Sequence, residues 1–156
     1  MKHAVSFAIL LLALQAGDVL GLKLTGSLSL EKQVGAADVI FEGVVESVEI
    51  VTIRQDSLGV FNRPKLKVRI KRILWPSDAK LPEVVTVTYG YNVDLEDQKR
   101  GFLDKAQFFL LRKAGDALFE PCGSGYSFSF TLPMSEEKKL NELIEKQKQK
   151  PPTNPK

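Results

Sequence analysis

The sequence predicts a mainly β fold, a small five-stranded barrel, closed or partly open, followed by a C-terminal helix. Between Asp38 and Leu132 several short runs alternate apolar and polar residues at a period of two. Clusters of Gly, Pro, Asp and Asn separate those runs. After Pro133 the period changes, and Leu140, Leu143 and Ile144 follow one another at i, i+3 and i+4.

The elements follow in order. Lys2 precedes an apolar run from Ala4 to Leu14 broken only by Ser6, and Leu14-Gln15-Ala16 ends on a small residue. This is the pattern of a secretory signal peptide over residues 1–16, with cleavage as late as residue 21. The run is shorter than the roughly 20 apolar residues of a membrane-spanning helix, so no transmembrane segment is expected. His3 is the one histidine in 156 residues, and it leaves with that peptide. Histidine general-base catalysis, Ser-His-Asp and Cys-His systems and His-ligated metals then lose a required part. The expectation is a secreted protein, extracellular or periplasmic, that is not an enzyme and carries no catalytic residue, cofactor or metal.

A short helix is expected from Ser27 or Ser29 to Gly35. Asp38 to Ile53 then reads as one long strand, with Gly43 and the broken alternation near Val44-Val45 and Val48-Glu49 marking a bulge or bend. Arg54 to Gly59 reads as a turn. Arg63, Lys65, Lys67, Arg69 and Lys71 alternate with Leu66, Val68 and Ile70 in the clearest strand of the chain. Pro64 places the start of that strand at an edge or terminus, and Trp75-Pro76 ends it.

Val84 to Tyr91 forms a third strand, Asn92 to Gly101 a polar loop and Gln107 to Arg112 an apolar fourth strand. Ala114-Gly115-Asp116 turns into a strand at Ala117–Glu120, and Tyr126, Phe128 and Phe130 give a last strand with one aromatic face. Ser135 is placed as the cap of a helix over 135–146, and 147–156, with three prolines, as a disordered tail. Residues 28–134 therefore make the barrel. Its strand count fits the partly open five-stranded type that binds ligands across one face.

The segment Ala37-Asp38-Val39-Ile40-Phe41-Glu42-Gly43-Val44-Val45 resembles the first barrel strand of netrin-like, or tissue-inhibitor-of-metalloproteinase-like, domains. Val68–Trp75, Val85–Thr88, Phe108–Leu111 and Pro121-Cys122-Gly123-Ser124-Gly125 match later family features in order. The resemblance covers about 28–132 and implies an OB-like barrel and export. The inhibitors of that family begin with Cys-x-Cys, which chelates the protease zinc. No Cys precedes Cys122 here, so the resemblance does not carry that mechanism.

Two candidate sites remain. The ridge Arg63, Lys65, Lys67, Arg69 and Lys71 is a candidate anion or partner site, or a solvated face neutralised by Glu42, Glu46 and Glu49 of the neighbouring strand. The formal charge of +3 favours the tail, because 17–135 holds 15 basic and 15 acidic residues. Cys122 is a candidate thiol, reactive, buried, or paired between chains. Asn92, Asp94 and Glu96 alternate as calcium ligands do, yet Asp97 stands where the loop requires Gly.

The function expected is a secreted binding module whose partner is a protein or an anionic glycan, reached through the barrel face or the loops at 54–62 and 92–104. No nucleic-acid partner is expected, because an exported chain does not meet one. The alternatives are an inhibitor of a secreted hydrolase, or a polyanion-binding protein using the 63–71 strand.

Overall fold

The computed structural model describes residues 28–57, 59–90, 94–122 and 130–149. The expected signal peptide, Tyr126, Phe128 and the end of the tail lie outside the described residues. The chain runs α1 (Leu30–Ala36), β1 (Val39–Asp56), β2 (Gly59–Trp75), β3 (Val84–Thr88), α2 (Leu95–Phe102), β4 (Ala106–Lys113), β5 (Leu118–Pro121), β6 (Thr131–Pro133), a 3₁₀ turn (Met134–Glu136) and α3 (Glu137–Lys148).

Five strands close a ring in the order β1-β2-β3-β5-β4 and back to β1, and β6 adds to β4. All pairs in the ring are antiparallel except β3 with β5, where Thr86 faces Leu118 and Val87 faces Phe119. A helix between the third and fourth strands completes the OB-like arrangement. The fold is the mainly β barrel with a C-terminal helix that the alternation predicts.

Ring closure depends on β1 serving two neighbours. Residues 39–44 pair with β4, while the whole strand pairs with β2. The register slips between Ile40/Phe41, Glu42/Gly43, Val45/Ser47 and Thr52/Arg54, and the first three bend the strand where it serves the barrel. Gly43 sits at one of them because β2 passes too close for a side chain. A Cβ there would lie 2.7 Å from Val68 Cγ1.

Two apolar clusters share the same sheet. Phe41, Val68, Val87, Tyr89, Phe109 and Phe119 fill the barrel, with Phe130 stacked on Phe102 and tilted against Tyr89. Val34, Ile40, Phe108, Leu110, Leu140 and Ile144 form a second layer on the outer wall, under α1 and α3. β4 is therefore buried on both faces from Phe108 to Leu111. That explains why it reads as a continuous apolar run without alternation.

Several boundaries differ from the sequence expectation. The stretch 92–101 is a helix in its described part. Asp94 caps it, accepting a 2.9 Å bond from the Asp97 N–H, and acids lead while Lys99 and Arg100 close the last turn. Its polar composition hides one inward face, Leu95, Gln98 and Phe102, and the Tyr89 hydroxyl donates to the buried Gln98 Oε1.

The turn expected over Arg54–Gly59 is tighter, because β1 runs to Asp56 and β2 starts at Gly59, whose φ of +127° suits glycine. Pro64 is inside β2 opposite Ile50, one residue before the pairing with β3 begins at Lys65. Ser135 lies in the 3₁₀ turn and caps nothing; α3 begins at Glu137 and continues to Lys148, so Gln147 and Lys148 are helical. Ser29 caps α1 through a 3.4 Å bond from Lys32 N–H, as expected for that serine.

Candidate binding surface

β1 and β2 outrun the barrel. β3 pairs with β2 only from Lys65 to Arg69, and β4 pairs with β1 only to Val44. From Ile50 and Pro64 onward the two strands continue past both neighbours as a ribbon, and Ser47–Thr52 face Asn62–Lys67 in six unbroken pairs that run from the barrel wall into it. The ribbon is anchored at its base, where the Asp104 N–H bonds Val45 O at 3.1 Å and Leu103 bridges Val45. Val48 and Leu66 are still in the core, whereas Val51 is 40 % exposed.

The basic ridge lies on the outward face of this hairpin and of the barrel wall it grows from. Lys65 and Lys67 stand beside Thr88 and Thr86 of β3. The ridge does not present five free cations. Arg69 donates to Glu46 on one side and Glu83 on the other, and Lys67 lies 3.8 Å from Glu49.

Lys71 falls at the bulge opposite Glu42 and Gly43, where Arg72 takes the place of the next ridge cation. Arg72 reaches Glu42 at 3.0 Å and Glu137 of α3 at 2.6 Å, and the bond it donates to Glu137 raises its guanidinium pKa above the ordinary value. Glu42, Glu46 and Glu49 thus all neutralise β2, as the solvated-face alternative requires, though Glu42 serves Arg72. Among the described residues Lys65 and Lys71 form no ion pair. Arg63 sits opposite Val51 on the ribbon.

Glu83 is the acid that the sequence reading does not find. It precedes β3, and its carbonyl accepts from Ile70 N–H at 2.9 Å, which sets its side chain beside Arg69. A lone Glu after Pro82 carries no signal of that partnership.

Cys122 is half-buried against the outer cluster, and its Sγ lies 3.6 Å from Leu110 O. Burial pushes the thiol up to about 11, more than Arg112 lowers it. It is therefore protonated at neutral pH and a poor nucleophile. Asp94 and Glu96, read above against a calcium loop, act as a helix cap and as the partner of Lys99 at 2.9 Å. Among the described residues no three His, Cys, Asp or Glu gather to hold a metal ion, and no helix is long and apolar enough to cross a membrane. No family model and no curated protein matches the chain.

Proposed function

We propose that the chain is an exported, non-enzymatic binding module of the netrin-like type, whose ribbon and outward β2 face engage a protein partner. The observation that carries this is the ribbon itself, which projects past the ring with a mixed-charge flank on its β2 side. A flank of paired charges of both signs suits a protein surface better than a uniformly anionic one. The leader-like N-terminus and the first-strand resemblance support export and type.

The test has two parts. Mass spectrometry of the exported chain is expected to find it beginning at Gly17 or Leu22. Site-specific cross-linking from the ribbon and from the N-terminus then separates the modes of binding. Partner capture lost when 53–60 is replaced by a two-residue turn supports the ribbon. Capture lost on trimming the N-terminus favours the hydrolase-inhibitor alternative. A hydrolytic turnover that survives purification and vanishes in Asp94→Asn overturns the non-enzymatic reading.

One observation favours the polyanion alternative. Lys65 and Lys71 keep no acid partner among the described residues. Retention on heparin that falls steeply with salt and disappears in a Lys65→Ala/Lys71→Ala variant would replace the protein partner with a sulfated glycan.

A further inference from the structure

We infer that the outer edge of the β1 ribbon pairs with the same edge of a second copy of this chain, centred on Ile50, to form a twofold antiparallel dimer. This goes beyond the partner reading and does not depend on it, since the dimer leaves the outward β2 face and the hairpin tip free.

Among the described residues no strand pairs with β1 on its outer side beyond the bridge at Val45. Such an edge presents unpaired N–H and C=O groups and templates another strand unless it is blunted. The two edges of the ribbon differ in this respect. The stretch of β2 before its pairing with β3 contains Pro64, which lacks a donor, and the charged Arg63. The stretch Val48-Glu49-Ile50-Val51-Thr52 has no proline, one charge and three β-branched residues in its centre and end. Register slips at Val45/Ser47 and Thr52/Arg54 bound it, so it is the flat, regular part of the edge. Because β2 is blunted, β1 edges can join only to each other, and the assembly closes at two copies with no continuing fibre.

Register follows from symmetry. A twofold axis normal to the sheet keeps every residue on the same face in both copies, so some residue must stand opposite itself. Centring on Glu49 opposes two carboxylates directly, which is destabilising. Centring on Val51 drives the pairing through the slip after Thr52. Centring on Ile50 pairs Val48 with Thr52 and Glu49 with Val51 of the second copy, and uses five of the six residues between the slips.

In that register one row reads Pro64, Ile50, Ile50, Pro64 across the four strands, apolar throughout. The next row reads Lys65, Glu49, Val51, Arg63, so each Glu49 stays beside Lys65 in its own chain, keeps its ion pair with Lys67 and meets no carboxylate across the axis. Val51, exposed in the single chain, becomes covered. Five paired residues span about 17 Å of strand, a small interface whose population rises with concentration.

Sedimentation velocity on the purified chain from about 1 µM to 1 mM is expected to show a monomer–dimer equilibrium. Ile50→Lys opposes two ammonium groups at the axis and is expected to leave a monomer throughout, with an unchanged far-UV circular dichroism spectrum. In a Cys122→Ser background, mild oxidation is expected to link Ile50→Cys chains into a covalent dimer faster than Glu49→Cys or Val51→Cys chains. The cross-linking arm stands even if Ile50→Lys fails to fold. A wild-type chain monomeric at every concentration, a dimer indifferent to Ile50→Lys, or preferential cross-linking at position 49 or 51 overturns the inference.

Discussion

At Gly43 an added methyl group would meet Val68 Cγ1 at 2.7 Å and both the Arg69 carbonyl and Phe41 Cε2 at 3.1 Å. Gly43→Ala is therefore expected to lower stability by about 1–3 kcal/mol in urea unfolding, because the bulged strand cannot retreat from β2 without breaking the ring. Gly101 gives the opposite sign. It lies inside α2 with nothing within 4 Å of its built Cβ, so Gly101→Ala is expected to stabilise by about 0.5–1 kcal/mol in the same assay. The strand's broken alternation marks the first of these positions in the sequence, whereas the second sits in a stretch that reads as a loop. At Cys122 the thiol held up to about 11 predicts alkylation at pH 8 about 100-fold slower than an exposed thiol, measured with iodoacetamide. The same shift has a sign for stability. The unfolded chain gives up this proton from near 9 while the folded chain holds it to about 11, so stability is full below pH 9 and falls between those values. Burial raises the Tyr89 hydroxyl in the same direction, which extends the alkaline loss.

Among the elements, α3 packs on the outer layer and not on the barrel interior. Leu140 and Ile144 dock on the outer layer with Val34, Phe108 and Leu110, and Glu137 ties the helix to Arg72. A chain ending at Glu136 is expected to keep its strand content by circular dichroism yet bind an apolar dye such as ANS, because Phe108 and Leu110 lose their cover. Retained solubility with no dye binding would show that α3 does not cover this layer. The helix was legible as a stripe at i, i+3 and i+4, but its start was not. Ser135 has the chemistry of a cap, and the 3₁₀ turn from Met134 uses it otherwise. α2 shows the reverse case. Its capping aspartate, acidic first turn and basic last turn were all present in the sequence, yet only three inward positions are available in eight residues, and one of them is Gln98. A glutamine on the inner face looks like a loop residue until Tyr89 supplies its bond.

For the whole molecule, the ring and the charge pattern have different origins. Alternation along β2 fixes which side chains point outward, and the five basic positions were readable one by one. Which acid neutralises which base was not, because the slip between Glu42 and Gly43 shifts the register and hands Glu42 to Arg72. Glu83 enters from another strand altogether. The outward face is accordingly a projecting ribbon with paired charges and one exposed valine, and not a continuous basic ridge. What the sequence determined alone is local: the alternation of the strands, the bend at Gly43, the stripe of the last helix and the lone thiol. Tertiary structure decided how far β1 and β2 outrun their neighbours, which face of β4 each cluster covers, and which edge is left open. The physical reason is that side-chain period and turn chemistry act over a few residues, whereas ring closure and the charge register on the barrel wall are set by partners 20 or more positions away, as Glu46 with Arg69 and Glu42 with Arg72 are.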